Sequence, residues 1–185
     1  MIKRALDLGC GSAPQNPFSA EEVYGVDIRE DAAARVVQAD LAIEPIPFED
    51  DFFDVVTAFD FIEHVPRILY APGRRFPFVE LMNEIWRVLK PGGAFLSYTP
   101  AFPAGPAWRD PTHVNIITEE TFPLYFDDQR RMAAMYGFKG YFRIQSQKRH
   151  DNGVHLVTVM NKVVPAAATP AVEAPDFTAV APPEG

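Results

Sequence analysis

The ten residues ALDLGCGSAP, 5 to 14, constrain this chain more than any other stretch, because a short apolar run ends in an acid and passes straight into a glycine turn. A run this short, closed by Gly9 and Gly11, reads as a buried strand and not as a helix. Glycine carries no Cβ and tolerates φ > 0, so the turn can bring bare backbone against a ligand. Strand, acid and glycine turn together predict the mouth of a nucleotide pocket.

The rest of the chain repeats the theme. Apolar runs at 4–8, 23–27, 36–39, 53–58 and 94–98 alternate with helical or loop patterns, which predicts βα units and a mostly parallel sheet with helices on both faces. In FVELMNEIWRVL, Val79, Met82, Ile85, Trp86 and Leu89 recur at spacings of three and four and predict an amphipathic helix. Lys90-Pro91-Gly92-Gly93 should stop it. Residues 118–136 read as one or two helices ending at Gly137, and 141–148 with 154–163 as two strands joined through Asp151-Asn152-Gly153, a terminal antiparallel hairpin.

Which nucleotide the pocket takes can be narrowed by elimination. A dinucleotide fingerprint needs a third glycine three residues after the second, and that position is Pro14. A phosphate loop needs Gly-Lys-Ser/Thr, yet no lysine lies between Lys3 and Lys90. What remains is an acid at the end of each of the first two strands, Asp7 and Asp27, beside a partial glycine turn. That suits a ligand with hydroxyls and a positive charge but no phosphate, and S-adenosylmethionine is such a ligand.

LDLGCG, YGVDI at 24–28, QADL at 38–41, FDVVTAFDFIEHV at 53–65 and LKPGG at 89–93 follow one another in an order that resembles the class I S-adenosylmethionine-dependent methyltransferases of the small type 11/12-like group. The resemblance spans residues 3 to 163 and implies a Rossmann-like, doubly wound α/β fold. Its mostly parallel seven-stranded sheet would end in a C-terminal antiparallel hairpin. It also implies roles. Asp7 would organise the methionine amino end, and Leu8, Gly9, Cys10 and Gly11 would lie along the cofactor. Asp27 with Ile28 would take the ribose hydroxyls, Asp40 with Leu41 the adenine edge, and Phe59 would line the methionine end.

Two departures from that pattern matter. The first strand begins within five residues of Met1, so the N-terminal helices that close over the cofactor in many relatives are expected to be absent, leaving a cleft that a protein partner or a second copy would complete. Pro14 and Pro17 break the segment after Gly11, so the usual first helix must be short or replaced by a loop. These departures keep an alternative open, a catalytically weak or inactive relative acting as a protein-interaction module.

Methyl transfer asks the protein to position an acceptor and manage its proton. The loop TPAFPAGPAWRDPTHVN after the fifth strand is where an acceptor should lie, since ligands of open α/β sheets sit beyond the carboxyl ends of the strands. His113 there is the candidate base, with Asp110 beside it, and His64 follows the fourth strand as a third candidate. The insert RILYAPGRRFPF, 67–78, should help shape the acceptor pocket. No pair of histidines shows a ligand spacing, so no metal site is expected. Cys10 rules out an intramolecular disulfide, and with no apolar run of membrane-spanning length a cytoplasmic protein is expected.

A net charge of −8 disfavours nucleic acid as a partner. The motifs agree: an Asp/Asn-Pro-Pro-aromatic sequence is missing after the fourth strand, where Asp60-Phe61-Ile62-Glu63 stands, and no Pro-Cys nucleophile is present. A small-molecule, sugar or glycan-precursor acceptor, methylated at oxygen, fits better. Residues 1–164 are expected to form one domain, and 165–185, with five prolines and seven alanines, a disordered tail.

Overall fold

Alternating side chains of β1 (Arg4–Leu8) point to opposite faces of the sheet, Leu6 and Leu8 into the main core and Ala5 and Asp7 to the other side. The computed structural model describes residues 2–165; the Pro/Ala-rich segment from 166 onward lies outside the described residues.

Strand β1 pairs in parallel with β2 (Glu22–Asp27) on one side and β4 (Phe53–Phe59) on the other, while β3 (Val36–Gln38) extends the sheet beyond β2. β4 then pairs in parallel with β5 (Leu89–Pro100). The hairpin of β6 (Phe142–His150) and β7 (His155–Lys162) completes a seven-stranded sheet in the order β3-β2-β1-β4-β5-β7-β6, with β7 antiparallel to both neighbours. This is the expected fold. The hairpin turn is made by three successive left-handed residues, Asp151, Asn152 and Gly153, as its composition suggests.

Two details differ from the sequence reading. Helix α1 (Pro77–Val88) buries Phe78, Leu81, Met82, Ile85 and Val88. The expected stripe was centred nearer Val79 and Trp86, which instead flank the core half-buried. And β5 starts at Leu89, directly after the helix, because Leu89 pairs with Phe53 before the ladder resumes at Ala94.

The two faces of the sheet are covered unequally. On one, α1 packs over Leu6, Leu8, Val26, Val56, Phe95 and Met160 in the main core. On the other, the segment after β1, which forms a loop and no helix, lays Phe18 and Ala20 on Ala5 and Val55. Farther along that second face, the cross-strand pairs Leu96–Val159 and Tyr98–Val157 stay half-exposed.

Candidate active site

Gly9 and Gly11 both adopt positive φ, +65° and +58°, so the turn after β1 takes the conformation that glycine alone accepts freely. Bonds to β2 anchor it: Gly9 N–H donates to the Val26 carbonyl at 2.8 Å and Gly11 N–H to Asp27 Oδ2 at 2.9 Å. The other Asp27 oxygen accepts from the Arg29 backbone and guanidinium, both at 3.1 Å. These bonds outweigh partial burial and hold the carboxyl below the usual carboxylate range.

Asp7 is fully buried. Its oxygens accept from Gln15 N–H at 2.8 Å and from the Thr57 hydroxyl at 2.7 Å, so it braces the loop from beneath. Burial pushes it up to about 6 against both hydrogen bonds. Cys10 packs against Gly25, where a Cβ would collide with its sulfur, and burial first, then Asp7 and Asp27, raise its thiol to about 11. Leu8 and Leu41 are buried, whereas Ile28 and Asp40 are exposed beside the second acid. Phe59, at the end of β4, packs on Tyr98 with ring centroids 5.6 Å apart.

Beyond β4 the chain turns sharply, with Asp60 at φ +46°. That turn carries Phe61 over Gly9, where its ring fills the space a Cβ on Gly9 would need. Nothing in the spacing of the motifs signals this contact.

The three candidate catalytic residues converge. The backbone carbonyl of Glu63 accepts from the N–H groups of Val114 and Asn115, both at 2.9 Å, and Asn115 Nδ2 donates to Ile62 O at 3.0 Å. The loop after β5 is thus stitched to the 3-10 turn Ile62–His64, and the rings of His64 and His113 meet edge to face, 4.7 Å apart. Asp110 Oδ2 lies 4.0 Å from His113 Nε2, and Asp110 Oδ1 accepts the Thr112 hydroxyl at 2.6 Å. Thr112 Oγ1 in turn stands 2.9 Å from His64 Nδ1.

Glu63 joins this group from below. It is 1% exposed; Oε2 accepts from the Thr99 hydroxyl at 2.8 Å, and Oε1 is buried without a partner. Burial drives its carboxyl up to about 7, opposed by Thr99 and aided by the charges of Asp60 and Asp110. His64 is lowered, first by desolvation and then by His113, so it is held neutral near pH 7. One donor atom from each of Glu63, His64 and His113 lies within 4.8 Å of the others, an arrangement the sequence reading did not expect.

A third imidazole, His155, stands at the same edge, and the sequence offers no partner for it. His155 stacks on Tyr98 at 4.3 Å, with Nε2 3.1 Å from Asp60 and Nδ1 2.9 Å from Asp151, which places it between two carboxylates at the same edge. Its antiparallel register opposite Pro100 brings it there.

A cavity of about 520 Å³ opens among segments that follow β4 and β5. Phe76, Phe78 and Val79 at the start of α1 and Leu124 and Tyr125 of the short helix Thr121–Tyr125 make its lining mostly apolar. Arg67, on its wall, donates to Asn115 Oδ1 at 2.7 Å and so ties the cavity to the loop bearing His113.

Strand order, glycine turn and acids at the carboxyl ends of β1 and β2 define an α/β protein of the nucleoside-cofactor-binding class. Residues 6–97 match the methyltransferase domain family, and the chain belongs to it, among the class I S-adenosylmethionine-dependent methyltransferases. A demethylmenaquinone methyltransferase from Listeria monocytogenes is 31% identical over 84% of this chain. The chain spans 66% of that relative's length. Of solved structures, PH0226 from Pyrococcus horikoshii superposes with a TM-score of 0.58 at 20% identity, covering 88% of this chain and 84% of that one. An S-adenosylmethionine-dependent methyltransferase from Mesorhizobium loti gives 0.56 at 18% identity, with coverages of 85% and 90%. At such identities the two structures speak to the fold.

Proposed function

We propose that this chain is a cytoplasmic enzyme that transfers the methyl group of S-adenosylmethionine to an oxygen of a small, largely apolar acceptor. The observation that carries the reading is the Gly9–Gly11 turn, held at positive φ and bonded to Asp27, at the carboxyl edge of a sheet with this family's strand order. Asp27 and Ile28 would receive the ribose, Asp40 and Leu41 the adenine edge, and Phe59 the methionine end.

In the reaction the acceptor oxygen attacks the methyl carbon and the carbon–sulfur bond breaks. Its electron pair goes to sulfur, so S-adenosylhomocysteine leaves neutral. The acceptor's proton must be removed, and the cluster of Glu63, His64, His113 and Asp110 is the group we assign to it. Proximity supplies much of the remainder, since the sulfonium already activates the carbon. The apolar cavity beside Arg67 supports an acceptor with a ring or hydrocarbon body. Relatives named for a quinone substrate point the same way.

A second reading, a protein-interaction module that binds the cofactor weakly, draws on Phe61, whose ring occupies the close approach that Gly9 offers. Calorimetric titration of S-adenosylhomocysteine into the full chain separates the two, with NADH as comparator and Asp27→Ala as control. A dissociation constant near micromolar, on the order of −8 kcal/mol, lost in the variant and absent with NADH, supports the enzyme. No heat and an unchanged melting temperature in excess ligand would overturn it.

A further inference from the structure

We propose that Glu63, His64 and His113 form a site for a divalent first-row transition cation of the zinc class, beside the acceptor. This deepens the methyl-transfer reading and rests on it for the cation's use, although not for its binding.

The lone pairs left free in the cluster argue for it. Thr112 Oγ1 donates to the Asp110 carboxylate, which can only accept, so the same oxygen must accept from His64 Nδ1–H. That fixes the tautomer and leaves the lone pair of His64 on Nε2. His113 shows the complementary arrangement: Nε2 faces Asp110 at 4.0 Å, while Nδ1 is buried with no partner. Glu63 Oε1 is the second buried atom of the cluster without one. A carboxylate oxygen and an imidazole nitrogen left unpartnered in the interior are expensive, and a cation satisfies both at once.

Geometry and chemistry agree. Donor atoms around a tetrahedral ion with bonds of about 2.1 Å stand about 3.4 Å apart, so the ligand atoms, one from each of the three residues and all within 4.8 Å of one another, need close by at most about 1.4 Å. Two imidazoles and a carboxylate suit zinc and its neighbours better than magnesium or calcium. Asp110 and Asp60, which face the cluster, add negative charge without being needed as ligands. Three protein ligands leave a fourth position open. An acceptor oxygen held there would be acidified by the cation, so the histidines would act on the acceptor's proton through the metal.

The test is titration of Zn²⁺ alone into the chelator-stripped full chain, with neither cofactor nor acceptor present. One equivalent should bind. His64→Ala and His113→Ala should each weaken it by more than the roughly 10- to 100-fold typical of losing an outer-shell partner, and Thr112→Val by about that amount. Should either histidine variant fail to fold, long-range ¹H–¹⁵N spectra of the unsubstituted chain read the same site. The ring nitrogens of His64 and His113 should shift on adding Zn²⁺ while those of His150 and His155 stay. No binding, undiminished binding by His113→Ala, or shifts at His150 and His155 instead would overturn the site. Loss of S-adenosylhomocysteine binding with Zn²⁺ binding intact would instead strike the methyl-transfer reading.

Discussion

The glycine turn and the histidine cluster stand on the same edge of one sheet but are assembled at different ranges. Around Gly9 and Gly11 the backbone groups of the turn are anchored near in sequence: Asp7 holds Gln15, eight residues on, and Gly11 holds Asp27, sixteen on, with Thr57 and Phe61 the distant supports. Around His64 and His113 they lie far apart: Thr112 reaches His64 across 48 positions, and Glu63 meets Thr99 across 36. A site built from near neighbours is dictated by backbone conformation, whereas one built from distant loops depends on how those loops dock. Cofactor capture and acceptor chemistry should therefore fail separately.

The largest effect expected is on the turn. Gly9→Ala combines a strained left-handed alanine with a collision against Phe61 and should destabilise the fold by roughly 4 kcal/mol in chemical denaturation. Adding Phe61→Ala should recover the steric part and leave the backbone strain. If the double variant recovers nothing, the turn is not held from across the site by Phe61.

Next comes pH. The Glu63 carboxyl, raised from 4.5 to about 7, binds its proton more tightly in the folded state. Its favourable contribution is complete below about 4.5 and is lost as pH rises through 7, a span on the order of 3 kcal/mol. Unfolding in the presence of a chelator should show that loss between pH 5 and 8, and Glu63→Gln should flatten it. Added Zn²⁺ should reverse the slope.

The remaining two predictions separate the halves directly. Asp27→Ala removes the anchor of Gly11 and should weaken S-adenosylhomocysteine by about 100-fold, near 2.7 kcal/mol, leaving Zn²⁺ affinity unchanged. Thr112→Val frees the His64 tautomer and should lower kcat about tenfold, near 1.4 kcal/mol, leaving S-adenosylhomocysteine affinity unchanged. A variant that damages both functions together would break the division.

Legibility in the sequence follows the same divide. Strands β1, β2 and β4, the glycine turn and the Asp-Asn-Gly hairpin are written in local composition, and the structure has them where the residues place them. The meeting of His64, His113 and Asp110 was approachable because both loops follow carboxyl ends of neighbouring strands, β4 and β5. The role of Glu63 was not. A glutamate in the first turn after a strand ordinarily complements a helix dipole, and only the docking of Val114 and Asn115 onto its carbonyl shows that the side chain is buried. His155 was hidden for a different reason: its partner Asp60 is 95 residues away, and only the antiparallel register of β7 brings them together.

The unequal cover of the sheet has a calorimetric consequence. Unfolding raises the heat capacity mainly by wetting apolar surface that was dry. Here Leu96, Tyr98, Val157 and Val159 already meet water on one face, so less is left to expose when the chain opens. The heat-capacity increment per residue should fall below the ordinary range of about 12–15 cal/mol/K, giving a flatter stability curve that changes little between a cold and a warm environment.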